Sequence, residues 1–256
     1  NLVRAGIYWQ AEAFALGFVH PKLMVAIEKL ARWHLKRQIK DPELREKLTP
    51  NYTIGCKRVL FSNNYYPALA RDNVKVIAAG VKEVRANSVI DSNGQEHQVD
   101  AIICGTGFDT KDPLGPLHLY GRDGIETRSK EGGLSAYLGT TLKDLPNLFM
   151  LLGPNTALGH NSIIFMIEQQ IRYAISCLDE MDKRGAAEIS VKPEVQDAYN
   201  ERIQAELQKM VWSEGGCKSW YIDEDGKNFT IWPGFTWKYW MRMRKPNFRH
   251  FQFKKA

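Results

Sequence analysis

The sequence predicts a globular α/β or α+β protein, and three observations support this class. Helical patterns fill residues 1–48, short strand-like runs fill residues 59–104, and a strand, a glycine-containing loop and a long helix follow one another between residues 143 and 184. Apolar residues make up 44% of the chain and charged residues 25%, which is typical of globular proteins. A chain of 256 residues can bury a sizeable core, in one large domain or two smaller ones.

The strand–loop–helix stretch is the unit around which the other segments are arranged. Residues 148–152 form a short apolar run typical of a buried strand. Gly153, Pro154 and Gly159 interrupt this run, and a helix is predicted to begin near residues 161–162. A helix start suits an anionic ligand group, but the unit alone is more typical of an ordinary connection. One face of the predicted helix is apolar and carries Ile164, Ile167, Ile171, Ala174, Ile175 and Leu178.

The middle of the chain predicts short strands and one glycine-flanked turn. A Ser-Asn-Gly hairpin turn is predicted at residues 92–94. The turn Gly105-Thr106-Gly107 would let the backbone approach a ligand closely, but no complete GxGxxG loop occurs in the chain. The predicted strands lie at residues 59–61, 74–77, 81–86, 88–90 and 98–104.

Cysteine spacing, charge and hydropathy exclude several classes of protein. The four cysteines form no CxxC pair, which predicts no metal site and no disulfide framework, in a reducing, cytoplasmic compartment. The net charge of +6 is too mild to predict nucleic-acid binding, and the aromatic and basic C-terminus is more typical of a packed terminal segment. No apolar run is long enough to predict a transmembrane segment. The chain starts at Asn1, inside a helical pattern, which predicts a fragment of a longer protein.

Several short motifs, taken in their order along the chain, resemble one enzyme family from end to end. The sequence resembles the C-terminal half of the class B flavoprotein monooxygenases, and within them the Baeyer–Villiger monooxygenases. The motifs are GCKRVLFSNNYYPAL (55–69), DNV (72–74), DAIICGTGFD (100–109), YLG (137–139), PNLFMLLGPN (146–155), GHNS (159–162), IEQQ (167–170) and SWY (219–221).

The resemblance implies a fold and a domain arrangement. The chain would be the C-terminal portion of a flavoprotein with two dinucleotide-binding domains, Rossmann-like domains for FAD and NADP, and a helical insertion. Residues 1–54 would belong to the insertion, 55–104 to the returning part of the NADP domain, and 105–256 to the FAD domain. A missing N-terminal half would supply both GxGxxG loops. The family's turn is commonly Ala-Thr-Gly, so Gly105 departs from the pattern without a serious steric consequence.

The resemblance also implies a reaction and its cofactors. NADPH would reduce FAD, O₂ would react at the reduced ring, and one oxygen atom would be inserted beside a ketone carbonyl to give an ester or lactone. Two alternatives stay open. In the first, the parent protein would be an N- or S-oxygenating flavin monooxygenase. In the second, this chain would be a non-catalytic fragment that needs a partner segment.

Residue by residue, the matched motifs assign roles to the chain. Arg58 would be the catalytic residue, because an arginine keeps its positive charge beside developing negative charge on oxygen. Lys57 would contact the NADP phosphate or ribose, and Trp220 would cover the nicotinamide ribose from a mobile loop, with burial in the core as the competing account for Trp220. The remaining cofactor-binding residues would be Gly105, Thr106, Gly107 and Asn155, and the substrate pocket would contain Gly159, His160 and Ile163.

Overall fold

The computed structural model describes residues 2–107, 117–122, 124, 126, 134–217, 219–223 and 226–255. The chain divides into two compact units. Unit 1 contains Asn1–Glu28, Asn51–Val59 and Lys111–Ala256, and unit 2 contains Lys29–Pro50 and Leu60–Thr110. These units do not follow the predicted boundaries at residues 54 and 104. The assignment of segments to a helical insertion, an NADP domain and a FAD domain therefore stays a prediction.

Eight α-helices lie in the described residues, together with a short 3₁₀ turn at Phe248–His250. None of them is long and apolar enough to cross a bilayer. Helix α5 begins after Ser162, whose side-chain oxygen accepts from the Phe165 N–H, and ends at Gly185 in the left-handed conformation. The helices are α1 Leu2–Val19, α2 Pro21–Gln38, α3 Pro42–Lys47, α4 Tyr65–Leu69, α5 Ile163–Arg184, α6 Pro193–Leu207, α7 Val211–Glu214 and α8 Thr236–Met243.

The described strands form three small antiparallel sheets. Unit 2 holds the order β1–β2–β3, and unit 1 holds the pairs β4–β5 and β6–β7. The Asn147 side chain donates to the Ala187 carbonyl and accepts from the Ile189 N–H, which fixes the end of β5 to the start of β6. The strands are β1 Val81–Val84, β2 Ser88–Asp91, β3 Glu96–Gln98, β4 Thr141–Leu142, β5 Leu145–Phe149, β6 Glu188–Val191 and β7 Phe251–Lys254.

Helix α5 buries a different face from the one that its apolar pattern predicts. Its buried side chains include Tyr173, Cys177 and Met181, which pack into the core of unit 1 with residues from α6 and α8. The apolar face, defined here as Ile164, Ile171, Ile175 and Leu178, is 43–63% exposed. The predicted helix is confirmed, and its apolar face lies on the side away from the core of unit 1.

The hairpin in unit 2 is confirmed at its predicted turn. The Asp91 carboxylate accepts hydrogen bonds from the Asn93 and Gln95 N–H groups, and Gly94 takes a φ of +85°, which only glycine adopts without strain. The His97 ring nitrogen lies 3.0 Å from the other Asp91 oxygen. The hydrogen bond with His97, helped by those from the Gln95 and Asn93 N–H groups, holds the pKa of Asp91 below its usual range.

Three predicted strands do not form. Residues 59–61 and 74–77 lie outside any β-ladder of the described residues, as does all of the predicted strand 98–104 except Gln98, and Leu60, Phe61 and Ile103 are 83%, 83% and 96% exposed. Runs of this kind are typical of strands buried on both faces of a parallel sheet, whose hydrogen bonds come from neighbouring strands. The prediction of strands was wrong here because such neighbours do not occur among the described residues.

The expectation of no disulfide is also wrong. Cys56 and Cys217 are joined across 161 residues of sequence, with 6.1 Å between their Cα atoms. Cys104 and Cys177 are free. Spacing along the chain indicates a zinc site or a small disulfide framework when cysteines are close together, but a pair this distant is brought together only by tertiary structure. No group of three or more potential metal ligands occurs among the described residues.

Candidate functional site

The segment that carries Lys57 and Arg58 is a tightly turned loop of unit 1. Gly55 has a φ of +92°, and a Cβ there would lie 2.8 Å from atoms of both Met24 and Phe18. The loop therefore needs glycine at this point, and the next residue, Cys56, is fully buried. Lys57 and Arg58, which follow Cys56, are both exposed. The packed Gly-Cys pair thus presents a Lys-Arg pair at the surface of the unit.

The segment that carries Trp220 contacts this same loop. The Thr53 N–H donates to the Gly215 carbonyl at 3.0 Å, and the disulfide joins Cys56 to Cys217. The exposed fraction of Trp220 is 51%, so the competing account that it is simply a core residue is wrong for the described structure. The structure therefore brings the predicted residues Lys57, Arg58 and Trp220 into segments that are bonded to each other.

Tyr221 is the buried anchor of this arrangement. Its ring is 1% exposed, lies 4.4 Å from the Trp220 ring centroid and contacts Trp212 edge-on. Burial raises the pKa of the Tyr221 hydroxyl, and the neighbouring Arg58 guanidinium opposes part of that rise. The Lys57 ammonium lies over the Tyr52 ring at 4.9 Å. Each cation thus has an aromatic neighbour that limits the positions it adopts.

A second loop of unit 1, residues 153–163, is held by buried hydrogen bonds. The Asn155 side chain donates to the carbonyls of Asn228 and Ile231, and the Ala157 N–H donates to the Thr230 carbonyl. Asn155 itself is 3% exposed. Its side chain therefore closes the loop in the described structure, and its predicted contact with a cofactor stays a prediction.

The start of this loop packs directly against the YLG motif. A Cβ on Gly153 would lie 2.4 Å from the Gly139 carbonyl oxygen. Gln170 fixes the same contact from α5, since its amide donates to the Gly139 carbonyl and accepts from the Leu152 N–H. Gln170 is fully buried. The motifs YLG, GPN and IEQQ are thus parts of one packed junction, which explains why they occur together.

His160 lies in a buried polar cluster with Glu12 of α1. The ring Nε2 of His160 is 3.5 Å from the Glu12 carboxylate, which also accepts from Asn161 Nδ2 at 2.6 Å and from Thr236 Oγ1 at 2.5 Å. Both the His160 and the Glu12 side chains are almost fully buried. Burial works to raise the pKa of Glu12, but the nearby His160 ring and hydrogen bonds from Thr236 and Asn161 outweigh it and leave the pKa below its ordinary value.

The other two predicted pocket residues border this cluster. A Cβ on Gly159 would lie 3.0 Å from Trp212 and 3.3 Å from Phe18, so glycine is required by packing against aromatic rings. Ile163, at the start of α5, is partly exposed. The described contacts thus give Gly159 and His160 internal packing roles, and their contact with a substrate stays a prediction.

We expect Glu12→Gln to destabilise the chain by about 2 kcal/mol at neutral pH, because a buried charge-assisted hydrogen-bond network is broken. The pKa of Glu12 is depressed in the folded state, so its stabilisation is complete above the unfolded-state value of about 4.3 and is lost as the pH falls through the folded value. The free energies of unfolding of the unsubstituted chain and of Glu12→Gln, measured in urea between pH 7 and pH 3, should differ less as the pH falls. The exposed Glu201→Gln is the matched control, and an equal effect of both substitutions would contradict the role of Glu12.

Gly105, Thr106 and Gly107 lie in unit 2 and are exposed. A Cβ on Gly105 or Gly107 would meet no atom within 4 Å, and Gly107 has a φ of +87°. Open space beside both glycines leaves room for a ligand to approach the backbone. Phe108 and Asp109, which complete the sequence motif, lie outside the described residues.

Sequence reasoning missed five side chains that position the predicted ones. Glu12 and Gln170 were polar residues within helical patterns, and nothing in those patterns distinguishes a buried polar residue from an exposed one. Cys56 and Cys217 carried no spacing signal. Tyr221 lay inside the SWY motif, so the motif itself was the one available signal.

Comparisons with known proteins place these features in context. No family model matches the chain. A Baeyer–Villiger monooxygenase of Pseudomonas aeruginosa is 51% identical over 244 residues, which are 93% of this chain and 46% of that protein. A Baeyer–Villiger monooxygenase of Streptomyces coelicolor is 38% identical and matches 98% of this chain and 49% of its own length. The chain spans about half the length of these curated relatives.

Solved structures give the same alignment at the level of the fold. A steroid monooxygenase bound to NADP superimposes with a TM-score of 0.81 at 23% identity, covering 94% of this chain and 47% of that one. A closed structure of cyclohexanone monooxygenase superimposes with a TM-score of 0.77 at 26% identity, covering 90% and 44%. The chain therefore has the α/β fold of one portion of these proteins.

Proposed function

From the membership of this chain in the Baeyer–Villiger monooxygenase family, we propose that it is the C-terminal half of a FAD- and NADPH-dependent monooxygenase. That enzyme inserts one oxygen atom from O₂ beside the carbonyl of a ketone and produces an ester or lactone. The observation that carries the proposal is the junction of two matched motifs, in which the segment with Lys57 and Arg58 is covalently bonded to the segment with Trp220.

Arg58 is the proposed catalytic residue. FAD, when bound, supplies the reaction with O₂, so the chain needs no nucleophile of its own. The task left to the protein is to hold a fixed positive charge where negative charge develops on oxygen, and a guanidinium does this at any working pH. The Arg58 guanidinium is exposed, so it is available to a ligand, and the chain on its N-terminal side is fixed by the buried Cys56.

Lys57 and Trp220 are the proposed NADP contacts. An exposed ammonium and an exposed indole on two segments that are bonded to each other suit a phosphorylated nucleotide, because the first pairs with phosphate and the second stacks on an apolar ring face. The glycines of Gly105-Thr106-Gly107 fit the approach of a dinucleotide to the backbone, since no atom lies within 4 Å of either missing Cβ. We keep Asn155, Gly159, His160 and Ile163 as the proposed wall beside the flavin and the ketone.

A missing N-terminal half is the proposed partner of this chain. The apolar face of α5 is 43–63% exposed, and the strand-like runs at 59–61 and 100–104 have no β-ladder among the described residues. Exposed apolar surface of this kind marks a contact with another protein segment. The curated relatives are about twice as long as the region that they share with this chain, which leaves room for such a segment.

The chain of residues 1–256 is expected to bind FAD and NADPH poorly by itself, since it contains no GxGxxG loop. Absorbance at flavin wavelengths after gel filtration with excess FAD measures this directly. Supplying the N-terminal half of a relative such as the Pseudomonas protein, as a fusion, should restore a yellow protein that oxidises NADPH. A purified chain that is yellow and oxidises NADPH unaided would contradict the expectation.

The reaction class is tested by giving the completed enzyme a cyclic ketone and a thioether in parallel. Ester or lactone formation supports the proposal, whereas sulfoxide formation alone would support the alternative of an N- or S-oxygenating enzyme. We also propose a cytoplasmic location, because a reaction that consumes NADPH needs a compartment that regenerates it. A disulfide such as Cys56–Cys217 is unusual in that compartment, which keeps most thiols reduced, so thiol trapping in cells tests whether the bond is present there.

A further inference from the structure

We propose that the Cys56–Cys217 disulfide is a redox-sensitive positioning device that holds the Trp220 loop against the segment of Lys57 and Arg58. The inference rests on the proposed function for its consequence, but its structural basis is independent of it. The two motifs lie far apart in sequence, and the bond joins the residue directly before Lys57 to the residue three positions before Trp220.

The bond is built into the packing of unit 1. Cys56 belongs to the buried core cluster, together with Trp212 and Tyr221. A Cβ on Gly215 would lie 2.8 Å and 2.9 Å from the Cβ and Sγ of Cys56, so only glycine lets the two segments approach this closely. The hydrogen bond from Thr53 to the Gly215 carbonyl runs beside the disulfide. The glycine, the hydrogen bond and the disulfide thus join the two segments at one tightly packed contact.

This contact limits the positions that Trp220 can adopt. Three residues of fully extended chain reach about 11 Å, so the Trp220 Cα stays within that distance of the anchored Cys217 Cα. Tyr221 adds a second anchor on the far side of Trp220, because its ring is buried and packs against Trp212 in the core. A half-exposed indole between two fixed points loses less conformational entropy when it binds a ligand.

Reduction removes one of these two anchors. Cys217 is partly buried and Cys56 is fully buried, so we expect a thiolate to attack the sulfur of Cys217 rather than that of Cys56. A dithiol reductant attacks the disulfide, the S–S bond breaks, and two electrons and two protons pass to the cysteines as the dithiol becomes a cyclic disulfide. The Trp220 loop then keeps the Thr53 hydrogen bond, the buried Tyr221 ring and the bridge between Ile222 and Asn228, but it has lost its covalent link to Cys56.

The bond and its mechanical effect can be tested in the full 256-residue chain without any cofactor. Peptide mapping without reductant should yield one Cys56–Cys217 linked peptide, and a Cys104→Ser variant should yield the same link because Cys104 is a free, exposed cysteine. Deuterium exchange of the backbone at residues 219–223 should become about tenfold faster after addition of dithiothreitol. Exchange in α6 should stay unchanged and serves as the internal reference.

Two substitutions separate loss of the bond from loss of the fold. Cys217→Ser should show the fast exchange of residues 219–223 without reductant and should no longer respond to dithiothreitol, whereas Cys104→Ser should respond like the unsubstituted chain. Absence of the linked peptide, or equal exchange with and without reductant, would overturn the proposal.

The functional consequence is measured in the completed enzyme. Cys217→Ser should raise the KM for NADPH by about tenfold, with kcat changed by less than about twofold, because Trp220 contacts the nucleotide rather than the reacting oxygen. A KM equal to that of Cys104→Ser would overturn the positioning role. If the completed enzyme makes no ester at all, the proposed function fails. The deuterium exchange of residues 219–223 still tests, without any cofactor, whether the disulfide holds the Trp220 loop.

Discussion

Replacing Arg58 with alanine in the completed enzyme is expected to lower ester formation by about a hundredfold or more while FAD remains bound. The guanidinium is the exposed cation next to the buried Tyr221, and its segment is fixed by the Gly55 turn and by the disulfide. Loss of the charge leaves the developing negative charge on oxygen without its donor. Loss of the side chain does not disturb the core, because Arg58 lies outside it.

The measurement is ester formed per NADPH consumed, with flavin content determined on the same sample. Arg58→Lys keeps a charge but loses the planar fork with its several donors, so it should fall between the alanine variant and the unsubstituted enzyme. Arg71→Ala is the control, since Arg71 is an exposed arginine of unit 2 with no predicted role. Ester formation by Arg58→Ala at the unsubstituted rate would remove Arg58 from the mechanism.

Gly139→Ala is expected to destabilise the chain by about 3 kcal/mol or more, the largest effect on stability that we predict. The φ of Gly139 is +62°, and a Cβ would lie 2.1 Å from Thr156 Cγ2 and 2.7 Å from the Pro154 carbonyl oxygen. A backbone oxygen cannot move aside as a flexible side chain can, so the clash adds to the cost of the left-handed conformation. The free energy of unfolding in urea, measured on the full chain, tests this expectation.

A matched control comes from the end of α5. Gly185 has almost the same φ, +59°, but a Cβ there meets nothing within 4 Å. Gly185→Ala therefore carries only the conformational cost, which is about 1–2 kcal/mol. If the two substitutions cost the same, the packed junction between the YLG motif and the 153–163 loop does not contribute as described.

The parts of the fold that sequence predicted well are those whose determinants are local. Helix α5 begins at Ile163, next to the start predicted near residues 161–162, and the hairpin turns at its Ser-Asn-Gly sequence. Family membership was predicted from motifs in a fixed order, and the comparisons confirm it. Within the candidate site, Lys57, Arg58 and Trp220 were predicted, and their segments are in contact.

The parts that were predicted wrongly depend on what lies far away in sequence. The apolar face of α5 and the run at 100–104 consist of apolar residues, which are typical of buried surfaces, but no described residue covers them. The pairing of Cys56 with Cys217 and of Glu12 with His160 joins residues separated by more than a hundred positions. No periodicity or spacing encodes such contacts, because they are set by how helices and loops of unit 1 pack together.

The disulfide has a topological consequence beyond the site. It closes a covalent ring that contains every residue from 57 to 216, including the hairpin of unit 2 and the whole of α5. A protease that cuts the backbone once inside this ring leaves a single covalent molecule, because the disulfide still joins the two parts and no residue is lost. Such a nicked molecule migrates as one species until a thiol is added, and then separates into two polypeptides.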